Sequence, residues 1–249
     1  MTWNGKHYWL IGASSGLGEE LARQLSDKGA RLSLSARNHE ALEALALELP
    51  SPAFVAPCDI TQKKSVKLAF DSVTQQGDLD GIIFCAGQYA PMTAANWDAE
   101  KAEQICEVNF NGCARVLGQY LPYMIPKDIG HIALIGSLSG FKGIPGGAAY
   151  AASKAGMMHL AEGLHADLDP KKFKVQLINP GFIRTRLTDQ NTFKMPFIMS
   201  PDQAAQRTIK AMESKRFQTN FPKRFSIMFS VFGTLPNFLY FSLARALLK

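Results

Sequence analysis

The N-terminal part of the chain joins an apolar run directly to a glycine-rich turn. Residues 6–11 read as a buried strand, glycines follow at positions 12, 16 and 18, and an amphipathic helical pattern begins there. A strand that turns tightly into a helix gathers free backbone N–H groups and the positive end of the helix dipole at one point, where a diphosphate can approach. This unit predicts a nucleotide site, although glycine turns also serve plain strand-to-helix packing.

The remainder of the chain alternates apolar runs with helical patterns. Strand-like runs occupy residues 31–35, 53–56, 79–85, 131–135 and 174–178. Continuous apolar strands between helices predict a doubly wound, Rossmann-like parallel sheet with helices on both faces. With 249 residues and 47% apolar content, one core suffices. Residues 1–222 are assigned to a nucleotide-binding and catalytic domain, and residues 223–249 to a hydrophobic helical extension of it.

A tyrosine and a lysine lie four positions apart, downstream of a serine. Tyr150 and Lys154 share one helix face by spacing, and Ser137 precedes Tyr150 by thirteen residues. An ammonium beside a phenol favours the phenolate, so we predict a pKa of Tyr150 below its usual value of about 10. The alternative is an ordinary exposed helix pair.

Together these motifs resemble those of the short-chain dehydrogenase/reductase family in its single-domain form. The resemblance covers about residues 6–221 and includes Asn109 and the segment 179–185. It implies an oxidoreductase that interconverts a carbonyl and an alcohol. Tyr150 would exchange the proton, Ser137 would bind the substrate oxygen, and Lys154 would tune Tyr150 and bond the nicotinamide ribose. Asn109 would hold a water that links Lys154 to solvent, or would merely relieve a helix bend.

The resemblance also implies a set of cofactor-binding positions. Ser14 and Asn38 would hold the 2′-phosphate end, Asp59 and Ile60 would contact adenine, and the Ile183 backbone with the Thr185 hydroxyl would fix the carboxamide. The full set is Gly12, Ser14, Ser15, Gly16, Leu17, Gly18, Arg37, Asn38, Asp59, Ile60, Ala86, Gly87, Tyr150, Lys154, Pro180, Gly181, Ile183 and Thr185.

The end of the second strand bears on the choice between NADP(H) and NAD(H). An acidic residue there would hold a free ribose 2′-hydroxyl, but Ala36, Arg37 and Asn38 occupy the place. Because a guanidinium suits a phosphate, we predict NADP(H), with NAD(H) less favoured. The alternative is a solvated arginine at a strand end.

Cysteine and histidine spacings predict no metal site. Cys58, Cys85, Cys106 and Cys113 lack Cys-x-x-Cys spacing, so we predict reduced, buried thiols in a cytoplasmic protein, with no signal peptide before the first strand. Cys85 follows Phe84 where the family usually has paired asparagines. We expect no nucleic-acid partner, and a homodimer or homotetramer is possible.

The C-terminal part is basic and aromatic. From residue 207 onward eight Lys and Arg face one acidic residue, a net charge of +7, and sixteen of the twenty-five residues 225–249 are apolar. Gly233 and Pro236 interrupt this stretch, which predicts two short amphipathic helices. They either cover the substrate cleft or a subunit interface, or contact an anionic membrane at the cytoplasmic face through Lys223, Arg224, Arg245 and Lys249.

Residues 185–200 are predicted to form a lid over an apolar substrate, through Leu187, Phe193, Met195, Phe197, Ile198 and Met199. The leading functional prediction is an NADP(H)-dependent oxidoreductase for a lipophilic ketone, aldehyde or alcohol. Two alternatives stay open: an NADP(H)-sensing module with little turnover, and a membrane-surface protein in which the extension is primary.

Overall fold

A computed structural model describes residues 2–246 and contains a seven-stranded, wholly parallel sheet. The strands are β1 (His7–Ile11), β2 (Arg31–Ser35), β3 (Ala53–Val55), β4 (Gly81–Phe84), β5 (Gly130–Ile135), β6 (Phe173–Pro180) and β7 (Gln218–Phe221). Their order is β3-β2-β1-β4-β5-β6-β7. The predicted doubly wound sheet is therefore confirmed. The order reverses between β1 and β4, which is where such sheets leave a crevice at their carboxyl ends.

Nine α-helices lie within the described residues. They are α1 (Gly16–Asp27), α2 (His39–Glu48), α3 (Lys63–Thr74), α4 (Ala99–Cys106), α5 (Gly112–Met124), α6 (Ala148–Asp167), α7 (Pro201–Glu213), α8 (Lys223–Thr234) and α9 (Asn237–Ala246). Buried side chains of α1, α2 and α7 join the core on one face of the sheet. Those of α3, α5 and α6 join the core on the other face.

Strand β1 shows why the sheet needs helices on both sides. Tyr8 and Leu10 pack into the first core, whereas Trp9 and Ile11 pack into the second. Side chains alternate across a strand, so a strand that is apolar at every position is stable only when both faces are covered. All five residues of β1 are buried.

Helices α8 and α9 form the predicted C-terminal extension. The helical path breaks after Thr234 and resumes at Asn237, around the predicted interruption at Pro236. Within residues 2–246, no helix has both the length and the apolar content needed to cross a bilayer. The predicted contribution of Lys249 lies outside the described residues.

The four cysteines differ in burial. Cys58 and Cys113 are buried, as predicted, but Cys85 and Cys106 are only half-buried. Cys85 lies just after β4, at the edge of the crevice, and Cys106 ends α4 on its more exposed side. The apolar run that predicted a buried position for Cys85 therefore continues past the part of the strand that the helices cover.

Candidate functional site

A cavity of about 1900 Å³ opens at the carboxyl ends of β1, β4, β5 and β6. A site for one small molecule usually occupies 300–1,000 Å³, so this cavity has room for more than one group. Every predicted site residue lines the cavity except Asn109. Residues far apart in the chain therefore meet here, because parallel strands end at one edge of the sheet.

The glycine turn forms a tight cradle at one end of the cavity. Gly12 has a φ of +93°, and a Cβ built on it would lie 2.5 Å from the backbone nitrogen of Ala86. A Cβ on Gly18 would lie 2.0 Å from the carbonyl oxygen of Gly12. Both positions therefore require glycine. The turn leads into the N-terminus of α1, beside Ser14 and Ser15, and this geometry fits a diphosphate.

The adjoining end of β2 carries a cation and a helix cap. Arg37 is exposed and lines the cavity. The side chain of Asn38 caps α2 by accepting a hydrogen bond from the backbone N–H of Ala41 at 3.1 Å. Asn38 therefore stabilises the start of α2, in addition to its predicted contact with the cofactor. Asp59 likewise accepts hydrogen bonds from the backbone and hydroxyl of Thr61, at 3.0 and 2.8 Å.

Ser137, Tyr150 and Lys154 come together at the other end of the cavity. Ser137 ends the turn after β5 and accepts hydrogen bonds from the backbone N–H of Ser139 at 3.2 Å and from its hydroxyl at 2.8 Å. Helix α6 carries Tyr150 in its first turn and Lys154 one turn later. The ammonium of Lys154 lies 5.9 Å from the centre of the Tyr150 ring and donates to the carbonyl oxygen of Ile135 at 2.9 Å.

The direction of the Tyr150 pKa differs from the sequence-based prediction. Shelter from bulk water raises the pKa of Tyr150 to about 12, and the hydroxyl of Ser137 opposes this only in part. Burial also lowers the pKa of Lys154 to about 8. The prediction considered only the attraction between the phenolate and the ammonium. In the folded protein, desolvation disfavours the charged form of both groups and is the largest cause of both shifts.

Asn109 is the one predicted site residue that the structure keeps outside the cavity. It is fully buried, in a π-helical turn (Glu107–Asn111) between α4 and α5. Its side chain bonds both backbone groups of Gln88, at 2.7 and 3.0 Å, and the hydroxyl of Ser153 at 2.9 Å. Ser153 in turn donates to the carbonyl oxygen of Tyr150 at 2.8 Å. These contacts connect Asn109 to the backbone of α6, and its role with water stays a prediction.

The segment after β6 crosses over the glycine turn. Ile183 is buried and pairs with Met199 in a short bridge. Thr185 reaches the cradle, where a Cβ built on Gly16 would lie 3.0 Å from its Cγ2 atom. The backbone N–H of Thr185 donates to the Thr188 hydroxyl at 3.0 Å. This turn places Thr185 beside the cradle, and the carboxamide contacts of Ile183 and Thr185 stay a prediction.

The predicted lid separates into two parts. Leu187 and Phe193 line the cavity. Met199, in contrast, is buried in the first core, since its bridge to Ile183 ties it to the sheet. Met195, Phe197 and Ile198 are also absent from the cavity lining. Composition alone could not show this, because a core anchor and a lid residue are both apolar.

The extension forms a wall of the cavity, as one of its alternatives predicted. Phe225 is 4% exposed and packs on Phe182, with ring centres 5.5 Å apart. Tyr240 is buried and donates to the carbonyl oxygen of Gly143 at 2.8 Å. The cavity-facing residues of α8 and α9 are Phe225, Met228, Phe229, Phe232, Tyr240, Leu243 and Ala244.

Several residues that sequence reasoning missed support the site. Ser139 orients the Ser137 hydroxyl, as described above. Tyr89 packs edge-on against Tyr150, with ring centres 5.1 Å apart, and donates to Asn191 at 2.8 Å. Lys142 contacts Asn237 at 3.0 Å and the Gly233 carbonyl oxygen at 3.5 Å. In the sequence, only the nearness of Ser139 to Ser137 could have indicated a role at the site. No sequence feature indicated one for Lys142.

Among residues 2–246, no cluster of three or more His, Cys, Asp or Glu side chains has the geometry to hold a metal ion. His159 instead pairs with Glu162 on the exposed face of α6, at 2.9 Å.

Comparison with known proteins gives one consistent family. The family description "short chain dehydrogenase" matches residues 6–195. An uncharacterized oxidoreductase of Myxococcus xanthus is 33% identical over 244 residues, which cover 96% of each chain.

Solved structures show the same fold at low identity. A short chain dehydrogenase/reductase from Burkholderia phymatum, in complex with NAD, is 20% identical, with a TM-score of 0.85 over 92% of this chain and 93% of that one. A short-chain dehydrogenase from Sphingobium yanoikuyae, in complex with NADPH, is 24% identical, with a TM-score of 0.81 over 91% and 93%. With the family match across most of the sequence, this chain belongs to the short chain dehydrogenase family of oxidoreductases.

Proposed function

We propose that the protein is an NADP(H)-dependent oxidoreductase that interconverts a carbonyl and an alcohol on a lipophilic small molecule. The observation that carries the proposal is the meeting of Ser137 and Tyr150 in one cavity that also holds the glycine cradle and an apolar wall. The cradle supports a dinucleotide, the two hydroxyls support a reacting oxygen, and the wall from α8 and α9 supports an apolar substrate.

Tyr150, Ser137 and Lys154 have different roles in the proposed reaction. The bound dinucleotide supplies or accepts the hydride at the substrate carbon. In reduction, the phenol of Tyr150 gives its proton to the carbonyl oxygen, and Ser137 donates a hydrogen bond as negative charge develops there. The hydroxyl of Ser139 lies 2.8 Å from that of Ser137 and holds it in place. The ammonium of Lys154 stabilises the phenolate that remains on Tyr150.

A pKa of Tyr150 near 12 keeps the phenol protonated at neutral pH in the protein without ligand. The protonated phenol is the form that donates a proton in carbonyl reduction. Alcohol oxidation would need the phenolate and should gain rate as the pH rises above neutrality.

The preference for NADP(H) rests on Arg37. Of the two structural neighbours described above, one was solved with NADPH and the other with NAD, so the neighbours do not favour either cofactor. Arg37 is exposed at the cavity edge, next to the cap residue Asn38, and its guanidinium suits a 2′-phosphate. Gly12, Gly16 and Gly18 would accommodate the diphosphate, and Ile183 with Thr185 the carboxamide.

The direct test is a panel of aliphatic and aromatic ketones and aldehydes with NADPH or NADH, followed by loss of reduced-nicotinamide absorbance. We expect turnover of apolar carbonyls and a higher kcat/KM with NADPH. Tight NADPH binding without turnover of any carbonyl would instead favour the sensing module.

Arg37→Asp tests the cofactor preference. The change removes a phosphate partner and adds repulsion, so we expect at least a tenfold rise in the Kd for NADPH and little change for NADH, both measured by fluorescence titration. Arg207→Asp, an exposed arginine on α7 outside the cavity, is the matched control. A natural protein that prefers NADH would contradict the assignment.

A further inference from the structure

Helices α8 and α9 present one apolar face to the cavity and another to solvent. In α8, Phe225, Phe229 and Phe232 recur at helical spacing on the cavity side. Ile227 and Val231 lie one turn apart on the outer side, 62% and 58% exposed. A helix that is apolar on both sides has a second surface without a partner in the fold.

Helix α9 repeats this arrangement. Tyr240, Leu243 and Ala244 line the cavity, whereas Phe238 is 71% exposed and Phe241 is 42% exposed. The spacing of Phe238 and Phe241 places both on one side of the helix, and Arg245 continues that side one turn later. Each of the two helices therefore exposes large apolar side chains together with a basic residue near one end.

The charged residues of α8 and α9 have a single sign. Lys223 and Arg224 begin α8 and are exposed, and Arg245 is exposed near the end of α9. Residues 214–246 contain no Asp or Glu. Exposed apolar side chains between basic residues match the interface of an anionic bilayer, where the rings enter the acyl boundary and the cations meet the headgroups. This charge complementarity selects lipid over an uncharged apolar protein surface.

We propose that α8 and α9 seat the protein on an anionic phospholipid surface and pass a lipophilic substrate from that surface into the cavity. The transfer step rests on the proposed function, because it requires an apolar substrate. The binding step does not. Phe225 is on the cavity side of α8, and Ile227, two residues later, is on its outer side. Only the width of this helix, about 10 Å, therefore separates the bilayer boundary from the cavity. Met228 and Leu243 line the cavity and are also 37% and 46% exposed, so the cavity reaches the protein surface at these helices, where an apolar molecule can enter from the bilayer.

The basic test is co-sedimentation of the full chain with vesicles of phosphatidylcholine, with or without phosphatidylglycerol. We expect binding to the anionic vesicles, weaker binding to the neutral ones, and a loss as NaCl is raised, since exposed charges are screened within about 10 Å at 0.1 M salt. The triple variant I227Q/V231Q/F238Q should bind at least tenfold less, because it removes the three most exposed apolar side chains of the outer face and leaves every cavity-facing side chain in place.

A matched control separates this face from general surface hydrophobicity. The variant L47Q/L68Q/I129Q removes three side chains that are 88%, 56% and 61% exposed elsewhere on the protein, and it should bind vesicles like the natural chain. Both variants should keep NADPH binding and should turn over a water-soluble carbonyl at the natural rate. Only the α8–α9 variant should turn over a vesicle-loaded lipophilic carbonyl more slowly.

Three results would overturn the proposal. The full chain could fail to sediment with anionic vesicles at low salt, or the α8–α9 variant could bind as well as the natural chain. The third is a dimer in sedimentation velocity that the α8–α9 variant dissociates, with no vesicle binding, which would assign the face to a second copy. Vesicle binding without carbonyl turnover would refute the proposed function and the transfer step but leave the membrane contact standing.

Discussion

At the scale of single residues, burial sets the chemistry of the site more than neighbouring charge does. Tyr150 lines the cavity and Lys154 is 4% exposed, and desolvation moves both of their pKa values toward the neutral forms. A neutral phenol is a ready proton donor. The same burial makes Lys154 costly to keep charged, which has a consequence for stability that can be measured separately from activity.

Tyr150→Phe should lower kcat for carbonyl reduction by about 10²–10⁴-fold, since the variant cannot deliver a proton. NADPH binding should change little, which fluorescence titration can check. Tyr89→Phe is the matched control, because it removes a nearby cavity-lining hydroxyl that bonds Asn191 and is not proposed to transfer a proton. A Tyr150→Phe enzyme with near-natural kcat would exclude Tyr150 as the acid.

Lys154 should make stability depend on pH in the protein without cofactor. Its pKa is about 8 when folded and near 10.5 when unfolded, so between these values the unfolded chain holds the extra proton and stability rises with pH. Relative to Lys154→Met, the natural protein should gain on the order of 3 kcal/mol in unfolding free energy from pH 8 to pH 10.5. Denaturant unfolding at several pH values measures this.

The control for this pH dependence is Lys67→Met, which removes an exposed lysine paired with Asp71 on α3. Its unfolding free energy should follow that of the natural protein across the same pH range. A difference between Lys154→Met and the natural protein that stays constant with pH would show that burial does not lower the pKa of Lys154.

At the scale of secondary-structure elements, the cavity is closed by parts of the chain that are distant in sequence. The loop after β5 holds both Ser137 and Lys142, and Lys142 reaches Asn237 at the start of α9. Its ammonium also lies 5.3 Å from the centre of the Tyr240 ring. Ser137 and the helix that walls the cavity are therefore held by one short segment.

Lys142→Met should loosen α9 from this loop. We expect a several-fold rise in KM for bulky lipophilic carbonyls, because they depend on the wall, and an unchanged kcat for a small carbonyl that does not reach it. Lys101→Met, which breaks an exposed ion pair with Asp98, is the control. Equal KM values for Lys142→Met and the natural enzyme across substrate sizes would show that Lys142 does not hold the α9 wall in place.

At the scale of the whole molecule, the extension is packed onto the sheet through an aromatic cluster. Phe225 contacts Phe182, Phe197 and Phe229, with ring centres 5.5, 6.0 and 4.9 Å apart. A Cβ built on Gly181 would lie 2.9 Å from the Phe225 ring, so the helix sits directly on the chain that leaves β6. Packing of this closeness is typical of a protein interior.

Phe225→Ala should lower the free energy of unfolding by about 3–5 kcal/mol, the usual cost of removing a buried aromatic ring. Ile227→Ala, two residues away and exposed, should change it by less than about 0.5 kcal/mol. Denaturant unfolding of the two variants measures both effects. A small effect of Phe225→Ala would mean that α8 is only loosely attached to the sheet.

The sequence by itself determined the sheet and the glycine turn, because both depend on local pattern. Continuous apolar runs predicted six of the seven strands to within a few residues, and the glycines at 12 and 18 stand where a Cβ would strike the backbone. The site at Ser137, Tyr150 and Lys154 was proposed from the spacing of the tyrosine and lysine together with the family resemblance of the motifs. The sheet and the turn needed only neighbours in sequence.

Only the tertiary structure decided how strongly each group is buried and which apolar segments meet. Burial reversed the expected pKa direction of Tyr150, sent Met199 into the core, and turned α8 and α9 into a wall of the cavity. Lys142 and Asn237 meet across 95 residues of sequence. Desolvation and long-range packing depend on the three-dimensional surroundings of a side chain, and a one-dimensional pattern of residue types does not contain them.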